Sequence, residues 1–127
     1  MNKWVSAALS AALLLTPAFA IAHGQAPQAA HGGQIQEANE NWVEFVVTGT
    51  QLRFYVLDEG RKPVVAPHLS GVASVFIGGN VYKVALVPGS DNFLEGQLPV
   101  PVSGAFAATV LLKVRGQSAS ARFAIGY

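Results

Sequence analysis

Residues 106–125 read FAATVLLKVRGQSASARFAI, and the alternation within them decides the fold class. Phe106, Ala108, Val110, Leu112 and Val114 share one side of a period-2 pattern. Arg115-Gly116-Gln117 then interrupts it, and Ala119, Ala121, Phe123 and Ile125 resume it, with Ser120 and Arg122 opposite. Successive side chains of a strand point to opposite faces, so this is the signature of two half-buried strands joined by a hairpin turn. No apolar stripe at helical spacing competes with it.

The same pattern extends backward along the chain. Val43, Phe45 and Val47 alternate with Glu44 and Val46, and Leu52, Phe54 and Val56 alternate with Gln51, Arg53 and Tyr55. Thr48-Gly49-Thr50 separates the two runs, and Asp58-Glu59-Gly60-Arg61-Lys62-Pro63 closes the second. Ala73, Val75 and Ile77 predict a further strand, ended by Gly78-Gly79-Asn80. Tyr82, Val84 and Leu86 predict the next, against Val81, Lys83 and Ala85. Pro88 to Asn92 breaks the pattern, and Phe93 to Leu98 fits a short strand. About seven or eight short strands with Gly/Pro turns predict a single all-β domain, an antiparallel, immunoglobulin-like β-sandwich. Trp42, just before a strand, fits core or edge packing, or an exposed platform.

The N-terminal end reads differently. Lys3 precedes the apolar run Val5 to Leu15, and both Ala18-Phe19-Ala20 and Ala20-Ile21-Ala22 fit small-residue cleavage sites. The run is short for a membrane span, so residues 1–22 are expected to be a cleaved signal peptide and the product a soluble periplasmic protein. Residues 23–33 are rich in Ala, Gly and Gln and lack apolar periodicity, which predicts a flexible arm. The β-domain then spans residues 34–127.

Composition narrows the chemistry. The chain has no Cys, so neither a disulfide nor a thiol nucleophile is available, and its one Met is the initiator. Loss of Lys3 from eight basic residues leaves seven against seven acidic ones. A basic nucleic-acid footprint and a polybasic membrane segment are therefore not expected, nor is stable membrane insertion. There is no G-x-S-x-G elbow and no Gly-rich phosphate loop followed by Lys. Asp58, Glu59 and Asp91 sit in turns, where carboxylates cap backbone groups. No catalytic constellation emerges, and an enzyme is not expected.

The three histidines remain: His23, His31 and His68. Cleavage after Ala20 would place His23 third, so that its imidazole, the amine and two amides form a square-planar set suited to Cu(II) or Ni(II). Cleavage after Ala22 would make it residue one, with amine and imidazole as a chelating pair. Two sandwich-end imidazoles from His31 and His68, with Glu37, Glu40 or Glu44, would make a three-ligand site for Zn(II) or Cu(II). The structural alternative for His31-Gly32-Gly33 is a sharp turn into the first strand, with the His bonded to a neighbouring strand.

His31-Gly32-Gly33, "WVEFVV" (42–47), "LRFYVLDEGRKPV" (52–64), Gly79-Asn80-Val81-Tyr82 and Asp91 to Gly96 together give the chain a family likeness. From His31 to Val114 it resembles the small β-domain at the N-terminal side of periplasmic adaptor subunits of heavy-metal efflux pumps of the resistance-nodulation-division type. Related stand-alone exported proteins are associated with metal resistance. The resemblance implies a β-sandwich in the cell envelope, working near metal export with an efflux component as partner. The chain departs from that pattern by lacking a helical hairpin, lipoyl half-motifs and a membrane-proximal domain, so an accessory rather than an adaptor is expected. It also reads Ser103-Gly104-Ala105-Phe106 where many of those domains open the long penultimate strand with His. The leading expectation is thus a periplasmic binding protein, accessory to copper or zinc resistance. The alternative is a non-catalytic structural or protein-interaction module of the envelope, with exposed strand edges and Pro63 to Leu69 as its contacts.

Overall fold

The computed structural model describes residues 25–126; the expected leader and His23 lie outside them. In chain order the strands are β1 (Gln34–Ala38), β2 (Asn41–Thr48), β3 (Gln51–Leu57), β4 (Leu69–Ile77), β5 (Asn80–Ala85), β6 (Val87–Pro88), β7 (Phe93–Gln97), β8 (Phe106–Val114) and β9 (Gln117–Ile125). All pairings are antiparallel. They form two sheets, ordered β1-β2-β3-β7-β6 and β5-β4-β8-β9. The β-sandwich expected from the alternation is the fold, with nine strands rather than seven or eight. The additions are β1 and the two-residue β6.

Residues 106–125 form the β8–β9 hairpin, in register from Phe106↔Ile125 to Val114↔Gln117. Arg115 (φ 51°) and Gly116 (φ 83°) make the turn, both left-handed, which matches the twist of the flanking strands. The inward set is the one that alternation marks. Val43 and Phe45 on β2, Leu52, Phe54 and Val56 on β3, and Leu94 on β7 face Ala73, Val75, Val110 and Phe123 from the second sheet, all buried. The centre is aromatic. Phe45 stacks on Phe54 at 4.9 Å, and Phe123 leans on both at 5.3 and 6.1 Å. Each buried side chain of this size contributes roughly 1.5–3 kcal/mol, and each aromatic pair about 0.5–1.5 kcal/mol more.

The segment Pro63 to Leu69, read as a contact loop, is divided: Pro63, Val65, Pro67 and His68 are exposed, and the residues between them help fill the core. Val64, Ala66 and Leu69 are buried and only Val65 stands out among its large aliphatics. Along one flank, β1 and β9 approach without pairing. Gln34 Nε2 donates to the Ala124 carbonyl at 3.3 Å, and Asn39 Nδ2 to the Ser118 carbonyl at 3.2 Å, tying the sheets together.

Candidate functional site

Glu44 lies between inward Val43 and Phe45, so its side chain must point to the outer face of the first sheet. There it pairs across the ladder with Tyr55 on β3 and Ile35 on β1. An outer-face carboxylate is normally solvated, yet the Glu44 side chain is only 7% exposed. The chain just before β1 covers it. Gly32 turns that chain with φ +76°. Gly33 then passes so close to β2 that a Cβ there would meet the Phe45 carbonyl oxygen at 2.2 Å. Both glycines of His31-Gly32-Gly33 are thus required, one for conformation and one for approach.

Three donors converge on the carboxylate. The backbone N–H groups of His31 and Gly33 donate to Oε2 at 2.9 and 2.8 Å, and His31 Nδ1 meets Oε1 at 2.9 Å. An ionised carboxylate only accepts, so Nδ1 carries the proton and a neutral ring has its lone pair on Nε2. The His31 ring lies flat on Tyr55, centroids 3.7 Å apart at 9°, and remains 42% exposed.

The stack continues across the sheet. Tyr55 leans on Phe93 at 5.1 Å, and the Arg53 guanidinium lies 4.4 Å above the Phe93 ring. Arg53 donates to the Tyr55 hydroxyl and to Glu95 Oε1, both at 3.2 Å. The Tyr55 bond first, with Glu95 beside it, raises the guanidinium pKa above its ordinary value. Beneath the covering segment, Ile35, Trp42, Leu57 and Asn92 help to line a cavity of about 40 Å³. That volume suits a water molecule rather than an organic ligand, which needs about 300 Å³ or more. Trp42 therefore packs on the outer face, half-buried, within β2 itself.

Of the sequence-predicted ligands, the structure joins His31 with Glu44. His68 ends the 3₁₀ turn Ala66–His68 and lines a different, open hollow beside Lys113 and Arg115. Its carbonyl accepts the Arg115 N–H at 2.8 Å. Two cationic neighbours oppose a metal ion there. Glu37 is exposed on β1, and Glu40 lies in the β1–β2 turn, in a polar hollow with Asp58 and Glu59. Among the described residues no group of three or more His, Asp or Glu side chains stands close enough to hold a metal ion. The sandwich does not gather His31 and His68, because they belong to different hollows. Sequence reasoning missed Tyr55, Phe93 and Arg53 as the support of His31. The available signal was an outward aromatic and an outward Arg on the strand following Glu44.

No family model matches the chain, and no curated protein matches it. Function is therefore argued from the site itself.

Proposed function

We propose that the chain is a small periplasmic binding protein, accessory to heavy-metal resistance or efflux, that takes up Cu(II) or Zn(II) with His31 as its fixed ligand. The observation carrying this reading is the 2.9 Å contact between the Glu44 carboxylate and His31 Nδ1, which, with the carboxylate ionised, puts the ring proton on Nδ1 and leaves Nε2 as a lone-pair donor. A carboxylate behind an imidazole is the arrangement that orients metal-binding histidines and raises their basicity. Glu44 itself supports rather than ligates, since its oxygens already take three N–H groups. The other donors come from His23 and the new amine. His23 is eight residues upstream, a distance that an extended chain bridges up to about 28 Å. Cu(II) fits an imidazole–amine set best. The family likeness of residues 31–114 points the same way.

The test is Cu(II) titration of the exported, mature protein by calorimetry and electron paramagnetic resonance. His31→Ala and His23→Ala should each weaken binding by tenfold or more, as outer-sphere support and ligand loss do, while His68→Ala leaves it unchanged. Equal affinity in the triple His→Ala variant overturns the reading.

A second reading, an interaction module without metal, is favoured by the open edge of β5. The β1 and β9 edges cover each other, and β6 is two residues ending in Pro88. The six residues of β5 leave a regular edge open to strand addition.

A further inference from the structure

The near-neutral chain has its charges sorted by sheet. All seven carboxylates, Glu37, Glu40, Glu44, Asp58, Glu59, Asp91 and Glu95, lie on the first sheet or in loops flanking its strands. The second sheet and its hairpin turns hold Lys83, Lys113, Arg115 and Arg122 and no acidic residue. On its outer face, Val72 and Leu111 stand directly opposite each other in the β4–β8 ladder, 38% and 54% exposed. Val81, 55% exposed, lies opposite Phe76, four residues along β4 from Val72. The rest of that face is Ser, Thr and Ala. An open trough of about 500 Å³ is lined by Lys113, Ser70, Ser118, Ser120 and Leu112.

We propose that this outer face adsorbs the protein onto an anionic phospholipid bilayer, through headgroup phosphates and without insertion. Donors and cations face outward with no carboxylate among them, which complements a phosphate surface and repels a second copy of the same face. The cations stand apart, Lys83 on β5, Lys113 on β8 and Arg122 on β9, rather than converging on one point. A fluid sheet of headgroups adapts to such spacing. A protein partner binds instead through aromatic or Arg anchors seated in pockets, and here Arg122 is already laid over Phe76 at 5.8 Å. Among the described residues no helix is long and apolar enough to cross a membrane. Bound this way, the sandwich turns its opposite outer face, with His31, toward the aqueous compartment. The inference rests on export of the chain but not on metal binding.

The test is co-sedimentation of the mature protein with vesicles of phosphatidylglycerol and phosphatidylcholine, against phosphatidylcholine alone. Binding is expected to the anionic vesicles only, and to fall as salt rises. Each juxtamembrane cation is worth about fivefold in partitioning, so Lys113→Gln with Arg122→Gln should lower it about 25-fold. Arg61→Gln with Lys62→Gln makes the same change in net charge in the β3–β4 connection, outside the strands of that face, and should leave it nearly unchanged. Leu111→Glu, at an exposed position that leaves the core intact, should abolish it. No binding to anionic vesicles, equal losses in the two double variants, or cross-linking from position 111 to an acidic protein without vesicle binding would each overturn the proposal.

Discussion

Replacing Glu44 by Ala strips three N–H groups of one acceptor, and two of them belong to the backbone that leads into β1. Hydrogen bonds to a charged group are worth about 1.5–3 kcal/mol, and partial resolvation at the outer face of the sheet offsets some of that. The expected loss is about 2 kcal/mol in urea unfolding, with Glu44→Gln in between. Gly33→Ala should cost as much, about 1–3 kcal/mol, because the new Cβ meets the Phe45 carbonyl at 2.2 Å and the backbone must shift. Gly32→Ala meets nothing within 4 Å and carries only the left-handed strain, about 1 kcal/mol. A reversed order of the two glycine variants would contradict the close-approach account. Half of this site is legible in the sequence. The two glycines read as a sharp turn, and a His bonded to a neighbouring strand was one of the readings of His31. Its acceptor was not legible, because the partner of residue 31 depends on the β1–β2 register. That register is hidden: Gln34 and Gln36 lie opposite inward Phe45 and Val43, while Ile35 points outward, the reverse of the usual pattern.

At the scale of elements, the strands with clean alternation were the ones that could be read. β1 escaped for the reason just given, and β6 because two residues ending in proline carry no period. The open β5 edge carries Lys83, whose charge disfavours pairing with the β5 edge of a second copy, which brings another Lys83, while leaving the edge open to an acidic or neutral strand. Lys83→Val is expected to increase concentration-dependent self-association in sedimentation velocity. A variant that associates no more than the parent would mean that the edge is protected by something other than that charge. The β3–β4 connection carries a pH dependence of its own. The Lys62 backbone N–H, 2.9 Å from Asp58 Oδ1, holds the Asp58 pKa below its ordinary value, with Arg115 at 3.6 Å helping. A pKa lowered in the folded state means that the unfolded chain takes the proton first. The contribution is therefore complete above the ordinary carboxyl value of 3.8 and disappears as pH falls through the lower folded value. Asp58→Asn should be less stable than the parent at neutral pH, with the gap closing below about pH 4. A gap that persists at pH 2 would assign the loop's stability to something other than this charge.

Across the whole molecule, charge and packing were legible to very different degrees. The core could be read because alternation fixes which side of each strand turns inward. The sorting of charge could not, because seven acids and eight bases nearly cancel in any count along the chain and separate only once strands are dealt into sheets. Between the two outer faces lies one core, and no disulfide reinforces it. Phe123 touches both Phe45 and Phe54, so it joins the last strand of the second sheet to the middle of the first. Phe123→Ala should cost about 3–5 kcal/mol, a large share of the 5–15 kcal/mol that holds a domain of this size. If both sheets depend on that junction, they must melt together. Trp42 fluorescence reports the covered face of the first sheet, and amide exchange in β8 and β9 reports the second. In the Phe123→Ala variant both probes should move to the same lower urea midpoint, as one cooperative transition requires. A Trp42 midpoint that stays at the parent value while β8 and β9 exchange freely would mean that the first sheet, with its His31–Glu44 site, stands without the second.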